Sequence, residues 1–179
     1  MKYMDFYSEL LETKEQQDTP EFKSWFKNSK VVDKKGDPLR VYHGTSKDKD
    51  FSKFTSKQNG MWFTSSPVEA SSYAKENDSM KVAGNWFDGY KNLNTASRVI
   101  PVYLSIQNPA KLDFEQVLKI TRADNYTKAQ REIFNELKSK GYDGVDFGEG
   151  IYVVFDPSQI KSAIGNTGKF DSKNQHIHK

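Results

Sequence analysis

Val41-Tyr42-His43-Gly44-Thr45 is the stretch of the sequence that decides the fold. It contains the only histidine outside the last four residues of the chain. Apolar residues lead into it and a glycine follows the histidine. The pattern therefore predicts a buried strand that carries an imidazole at its end, beside a backbone position open to close approach. A single histidine at a strand end is more often structural than catalytic, and the remaining sequence has to decide between the two.

The length and composition favour one folded domain. The chain has 179 residues with 12 Phe, 9 Tyr and 3 Trp, which is enough for a hydrophobic core. No apolar run approaches the roughly 20 residues that span a bilayer. Residues 1–12 carry acids and lack the apolar core of a secretory signal. The absence of cysteine fits a reducing compartment. We therefore expect a cytoplasmic protein that does not act at a membrane.

The same counts restrict the ligands. A chain without cysteine has no thiolate ligand or cysteine nucleophile, and one internal histidine argues against a metal site. The net charge of +3 comes from 27 basic and 24 acidic residues, and mixed charges of this kind do not form a nucleic-acid arm. Nucleic acid is still not excluded as a partner. The cluster of Lys47, Lys49, Lys53 and Lys57 is interpreted either as a pyrophosphate contact or as a solvated loop.

The first half of the chain predicts two short helices followed by strands. Residues 3–17 carry an amphipathic pattern, and a second helix begins with Thr19 as cap and Pro20 at its first position. A hairpin follows, with Val31-Val32 as its first strand, a turn over residues 33–38, and a second strand that ends at His43.

After the histidine the pattern predicts a loop, a strand and a helix. The loop covers residues 46–60 with Phe51 and Phe54 as anchors, and residues 60–64 form a strand. A helix runs from Pro67 to about residue 75, capped by Ser65 or Ser66. Residues 77–97 form a long loop whose large apolar and aromatic residues predict either a functional lid or a local core: Met80, Trp86, Phe87 and Tyr90.

Strands dominate the second half. The pattern predicts strands over 99–106, 145–147, 151–155 and 160–164, with helices over 114–120 and 127–139. Asn108-Pro109 closes the first of these strands, and Gly141 follows the second helix. From Gly165 onward the chain is polar and is expected to fray, with Phe170 as a docking residue. Irregular alternation of helices and strands favours an α+β fold.

Three stretches, taken in order, resemble the catalytic core of ADP-ribosyltransferases of the diphtheria toxin and poly(ADP-ribose) polymerase type. They are the Tyr42–Thr45 stretch, residues 60–65 running into 70–73, and residues 151–156. The eleven-residue interval from Trp62 to Tyr73 matches the spacing of the family's aromatic pair. Each motif is weak alone, and the ordered set is more specific.

A wider resemblance covers roughly residues 19–171 and concerns ADP-ribosyltransferase-like domains of phage and prophage multi-domain proteins. It rests on residues 19–26, the hairpin up to Tyr42, residues 102–109 and residues 156–162. The resemblance implies a split two-sheet core with NAD in the cleft and a phage setting, hence a bacterial host cytoplasm. We accordingly divide the chain into an N-terminal helical segment (1–29), a catalytic domain (30–165) and a polar C-terminal tail (166–179).

The resemblance also implies roles for individual residues. Gly44 would offer its backbone to the nicotinamide carboxamide, and His43 would orient the ribose by a hydrogen bond. Trp62 and Tyr73 would enclose the cationic ring, an arrangement worth on the order of 1–2 kcal/mol when desolvated. Either aromatic residue alone would be read as core packing. The same resemblance places further residues along the NAD-binding surface: Tyr42, Thr45, Phe63 and Ser65.

The sequence departs from the family pattern at two positions. Trp62 stands where the family usually has tyrosine, which keeps the stacking surface and loses the hydroxyl. Ile151 stands where the family has the catalytic glutamate. Glu149 precedes it by two residues, on the same face of an extended strand and roughly 6.5 Å away. Two interpretations stay open, in which Glu149 either replaces the missing carboxylate or is a loop residue. Chain elongation into a polymer is not expected.

Two further sets of residues have ordinary explanations. Ser65 and Ser66 would contact the nicotinamide amide or cap the following helix, and capping is favoured. Asp143 and Asp146 lie in a turn and strand entry, where a turn role is favoured over catalysis.

Three functions follow as hypotheses. The first is an enzyme that cleaves NAD and transfers one ADP-ribose to a macromolecule, which we expect to be a host protein. The second is a catalytically impaired module that binds NAD or ADP-ribose. The third is a phage accessory protein that acts by protein–protein contact through Trp86, Phe87 and Tyr90. An RNA phosphate-transferring relative of the same fold is a distant fourth, because its arginine pattern is missing.

Overall fold

The structure is a computed structural model of the chain. It describes residues 16–45, 52–55, 60–74, 98–112, 116, 122–123 and 125–179. Several predicted features lie wholly or mostly outside these residues: the helix over 3–17, Lys47, Lys49, Phe51, Lys57, the loop over 77–97 and the helix over 114–120.

The described residues form a seven-stranded sheet with helices on it, which confirms the α+β class. The strands are β1 (Val41–Thr45), β2 (Met61–Thr64), β3 (Arg98–Leu104), β4 (Pro109–Lys111), β5 (Gly144–Gly148), β6 (Ile151–Val154) and β7 (Ile160–Ser162). The helices are α1 (Pro20–Phe26), α2 (67–74) and α3 (Tyr126–Ser139), with a 3-10 turn at Pro157–Gln159. The strand order is β4-β5-β6-β2-β1-β3-β7, antiparallel except for β4 and β5.

The sheet is thinly joined between β1 and β2. β1 is registered with β3 at five residue pairs, whereas its register with β2 is Tyr42 opposite Thr64. The sheet therefore consists of a half with β1, β3 and β7 and a half with β2, β6, β5 and β4. This division agrees with the predicted split core.

The two faces of the sheet are packed differently. On one face a single buried cluster runs across both halves, with Val41 and Val102 from one half and Phe63 and Val154 from the other. On the opposite face there are two separate clusters. α1 packs on Tyr103 in one half, and α3 packs on β5 and β6 in the other. The opposite face is thus divided along the junction of β1 and β2.

Local sequence signals account for the two helices that cover the divided face. Thr19 caps α1 by accepting a hydrogen bond from the Phe22 backbone, and Pro20 occupies the first position. α3 ends before Gly141, whose φ of +84° is the left-handed conformation that glycine adopts easily. Both helices were predicted, and so were their buried residues: Phe22, Trp25, Phe26, Ile133, Phe134 and Leu137.

Several predicted strand limits were wrong. β3 ends at Leu104 and β7 at Ser162, and Pro109 does not close a strand but begins β4. β4 pairs with β5 in parallel. This contact joins distant parts of the chain, so the three residues of β4 do not by themselves predict a strand. The hairpin before β1 is reduced to one bridge between Val32 and Pro38. β1 continues through Thr45, two residues beyond His43.

The C-terminal segment is docked, so the prediction that it frays was wrong. Phe170 and Ile177 are each 2% exposed, and Phe170 docks as expected. The Ser162 backbone N–H donates to the Ile177 carbonyl at 2.8 Å, and the Ile177 N–H donates to the Ser52 carbonyl at 2.8 Å. The segment is polar in composition, so its single isoleucine was not predicted to enter the core.

Two further observations concern the described residues only. No helix among them is long and apolar enough to cross a membrane. The described part of the chain also contains no group of three or more His, Asp or Glu residues that would hold a metal ion. The predicted domain boundaries at 29/30 and 165/166 stay predictions.

Candidate active site at the junction of β1, β2 and β6

His43 links the two halves of the sheet. Its Nδ1 lies 2.9 Å from the Trp62 carbonyl oxygen on β2. A carbonyl only accepts, so Nδ1 carries the proton and donates it. The ring also meets Phe54 edge-on at 4.9 Å and Phe63 at 5.5 Å between centroids. These contacts fix the orientation of the imidazole.

Gly44 is where α2 comes closest to the sheet. A Cβ built on Gly44 would lie 1.8 Å from the Ala70 carbonyl oxygen and 3.1 Å from the Ala74 nitrogen. The space that a side chain would need is therefore filled by the backbone of α2. This is a structural reason for the glycine, separate from the ligand contact that the resemblance implies.

Trp62 packs into the cluster beneath α3. Its ring stacks on Phe147 at 4.9 Å with an interplanar angle of 26°, and it tilts against Phe134 at 6.2 Å. One face of the indole is thus occupied by Phe147. The structure does not bring the Trp62 and His43 rings onto one face, because their neighbours belong to clusters on opposite sides of the sheet.

The remaining predicted contact residues differ in exposure. Tyr73 lies on α2 next to the buried Ala74 and is 51% exposed. Phe63 is buried and packs against both the His43 and the Phe54 rings, so it supports the imidazole. Thr45 is also buried, opposite Arg98 on β3.

A row of three side chains crosses the junction on the divided face. Tyr42 on β1 is opposite Thr64 on β2, and Thr64 is opposite Ile151 on β6. Residues directly opposite in antiparallel strands point to the same face, so these three side chains are neighbours. Ile151 therefore lies on the divided face, one strand away from the junction of β1 and β2.

Glu149 is a turn residue, as one of the two open interpretations has it, and its expected position on an extended strand was wrong. β5 and β6 are joined by a two-residue turn, because Gly148 is opposite Ile151. Glu149 and Gly150 have φ values of +52° and +80°, typical of a tight hairpin turn. The turn leaves Glu149 exposed at the tip of the hairpin. The flanking glycines thus turn the chain where an extended strand was expected.

Thr64 and Glu69 form a contact that the sequence analysis did not identify. The Thr64 hydroxyl donates to Glu69 Oε2 at 2.5 Å and accepts from the Ser66 backbone N–H at 3.1 Å. Ser66 caps α2 by accepting from the Glu69 N–H at 3.2 Å. Ser66 and Glu69 have the spacing of a capping box, and this was the only available signal. The capping-box spacing does not predict that the Thr64 hydroxyl bonds both the Ser66 backbone and the Glu69 side chain.

The other candidates have structural partners. The Ser65 backbone N–H donates to the Gly150 carbonyl at 2.8 Å, which ties the start of α2 to the β5–β6 turn. Asp143 accepts from the Gln107 and Asn108 backbones, and Asp146 accepts from the Gly148 backbone. Asp146 thus has the predicted turn role, whereas Asp143 holds the backbone of residues 107–108 by a long-range contact that was not predicted. Lys53 is exposed.

Burial affects one ionisable group beside the junction. Tyr152 follows Ile151 on β6 and is 8% exposed. Burial raises the pKa of its hydroxyl above the ordinary value, and the charge of Asp146 raises it further. The hydroxyl therefore stays protonated at neutral pH.

Comparison with known proteins identifies the family. A sequence model of the family described as ADP-ribosyltransferase in polyvalent proteins matches residues 33–170. This range contains every residue of the junction described above. No curated protein and no solved structure matches the chain. With more than half of its length matched, the chain belongs to the family of ADP-ribosyltransferase domains found in polyvalent proteins.

Proposed function

We propose that the protein cleaves NAD and transfers a single ADP-ribose to a macromolecular acceptor. Family membership supports the reaction class, since ADP-ribosyltransferases use NAD as their substrate. The observation that carries the proposal is that three separate sequence motifs meet where β1, β2 and β6 lie side by side. We expect the acceptor to be a protein of a bacterial host and the reaction to take place in its cytoplasm.

The reaction breaks the bond between nicotinamide and the ribose C1′. Nicotinamide leaves with the bonding electrons, and C1′ takes on positive charge in the transition state. The protein has to hold the ring, orient the ribose and favour that charge. In the proposal the ligand enters the opening between β1 and β2, with the nicotinamide beside Gly44 and α2.

The roles proposed for the aromatic residues follow from their positions. Tyr73, half exposed on α2, would cover the nicotinamide from one side. Trp62, partly exposed and backed by Phe147, would stack from the other side. His43 donates through Nδ1, so Nε2 is its acceptor nitrogen. Because its ring lies on the side of the sheet opposite to the Trp62 ring, His43 would meet a ribose hydroxyl only where the ligand reaches through between β1 and β2. Tyr42, Thr45, Phe63 and Ser65 would shape and support the binding surface.

A test uses NAD labelled in the adenosine half, incubated with the protein and a bacterial lysate. We expect label to appear on protein, and free nicotinamide to be released at the same rate. Tyr73→Ala and His43→Ala should each lower the rate at least about 10²-fold, because each removes a contact to the reacting half of NAD. Val68→Ala is the control, since Val68 lies on the same helix and is 74% exposed. Wild-type protein that neither binds nor cleaves NAD would refute the proposal.

Ile151 favours a second candidate function. Position 151 is isoleucine, and Glu149 is exposed at the tip of the β5–β6 turn, so β6 itself begins without a carboxylate. A domain that binds NAD or ADP-ribose without transferring it would not need a carboxylate at this position. Calorimetric binding of NAD without release of nicotinamide would distinguish this candidate from the enzyme.

A further inference from the structure

Glu69 is the carboxylate that α2 brings to the junction. It reaches the junction through Thr64, whose hydroxyl donates to Glu69 Oε2 at 2.5 Å. Thr64 is the residue directly opposite Ile151 in the sheet. A carboxylate bound to Thr64 therefore lies next to the position where the family glutamate is replaced.

The side chain of Glu69 is held in place and still has an oxygen to offer. Thr64 is 4% exposed, and its hydroxyl accepts the Ser66 N–H while it donates to Glu69. This pair of hydrogen bonds fixes the direction of the hydroxyl and hence of Oε2. Among the residues that the structure describes, Oε1 takes no hydrogen bond. An oriented carboxylate with one open oxygen is suited to a ribose hydroxyl or to a developing cation.

We propose that Glu69 replaces the missing carboxylate of β6 in the active site. This inference rests on the proposed NAD cleavage. Its negative charge stabilises the positive charge that grows on C1′ as nicotinamide departs with the bonding electron pair. The acceptor's oxygen or nitrogen then forms the new bond to C1′ and releases its proton to solvent. Thr64 is the positioning residue, because it acts only through Glu69.

The experiment compares nicotinamide release, NAD affinity and melting temperature in matched variants. Glu69→Gln keeps an acceptor for Thr64 and a residue that is suitable for the cap, but it removes the charge. We expect its rate to fall about 10²-fold or more, with NAD affinity within about 3-fold of the wild type. Glu132→Gln is the control, an exposed glutamate on α3 that should leave the rate unchanged.

Two further variants separate chemistry from folding. The double variant Glu69→Gln/Ile151→Glu places a carboxylate on the strand opposite Thr64, and we expect it to regain at least about tenfold of the lost rate. Thr64→Val keeps the charge of Glu69 and the shape of the Thr64 side chain, but it removes the hydrogen bond that holds the carboxylate. The rate of nicotinamide release by this variant should fall, while its NAD affinity stays unchanged. Neither effect is expected from a purely structural role.

The outcomes distinguish this inference from the proposed function. A Glu69→Gln protein with wild-type rate, alongside inactive His43→Ala and Tyr73→Ala, overturns the role of Glu69 and leaves the function intact. The same holds where Glu149→Gln abolishes the rate and Glu69→Gln does not. Wild-type protein that fails to bind NAD would refute both the role of Glu69 and the proposed function.

Discussion

Lys161 is a charged side chain in the interior of the protein, with 0% exposure on β7. Its Nζ donates to the carbonyl oxygens of Asn174 at 2.8 Å and His176 at 3.2 Å. Burial lowers the pKa of this amine to about 8, and the charge of Asp171 opposes the change. The neutral amine still has two N–H groups, enough for both carbonyls. The lysine therefore anchors the C-terminal segment in either protonation state.

The lowered pKa predicts how stability depends on pH. Between pH 8 and 10.5 the native Lys161 has released a proton that the unfolded chain still binds. Stability then rises with pH across this window, because the unfolded state binds more protons. We expect the free energy of unfolding of the wild type to rise relative to that of Lys161→Met between pH 8 and 10.5. Urea titrations at several pH values measure this, and parallel curves for the two proteins would contradict it.

At the scale of elements, the contact of α2 with β1 positions the junction. The backbone of α2 touches Gly44, and the same helix carries Glu69 and Tyr73. The distance between helix and strand therefore sets where both side chains lie. Any side chain at position 44 would push the helix outward.

Gly44→Ala is expected to destabilise the protein. The added methyl would have to displace the Ala70 carbonyl, and overpacking of this kind costs about 1–3 kcal/mol. Thermal and chemical unfolding measure the loss. Ser72→Ala serves as the control, since it alters an exposed position of the same helix and should change stability by less than about 0.5 kcal/mol. Equal stabilities of the two variants would show that α2 can move away without cost.

The elements show which features a sequence can predict. α1 was predicted because its cap, its proline and its apolar face are all local. β4 was missed because three residues become a strand only by pairing with β5, more than thirty residues later. Glu149 was misplaced because a Gly-Glu-Gly stretch is compatible with both a strand and a tight turn. The positive φ values of the turn emerge only when β5 and β6 pair.

The same distinction applies to the candidate site. The motifs predicted that His43, Trp62 and Ile151 lie on three strands, and those strands are neighbours. The sequence did not show which way the rings point, so the separation of the His43 and Trp62 rings was not foreseen. A role for Glu69 could not be predicted, because its link to Thr64 depends on how β2 leads into α2.

At the scale of the whole molecule, the C-terminal segment ties distant parts of the chain together. Ile177 enters the cluster that spans both halves of the sheet, and its backbone bonds residues from β7 and from the segment 52–55. The last residues therefore contribute to the core on the face that is not divided. This core packs against the side of the β1–β2 junction that is opposite to the divided face.

Ile177 is expected to be important for overall stability. Ile177→Ala should cost about 2–5 kcal/mol, as large-to-small changes at buried sites do. Ile164→Ala is a matched control, because Ile164 is the same residue type at 50% exposure and should cost less than about 0.5 kcal/mol. Guanidinium titrations compare the two. Similar losses in both variants would mean that the C-terminal segment is not part of the cooperative core.

The hydrogen bond from His43 to the Trp62 carbonyl makes the imidazole a built-in reporter. The chain has three histidines, and the other two lie at the C-terminal end. The Nδ1–H resonance of His43 is identified in a nitrogen-15 spectrum by its loss in His43→Ala, because His178 Nδ1 also faces a carbonyl oxygen, that of Gly165 at 2.8 Å. Its chemical shift and its exchange with water follow the separation of β1 and β2, so the width of the junction can be observed without attaching a probe.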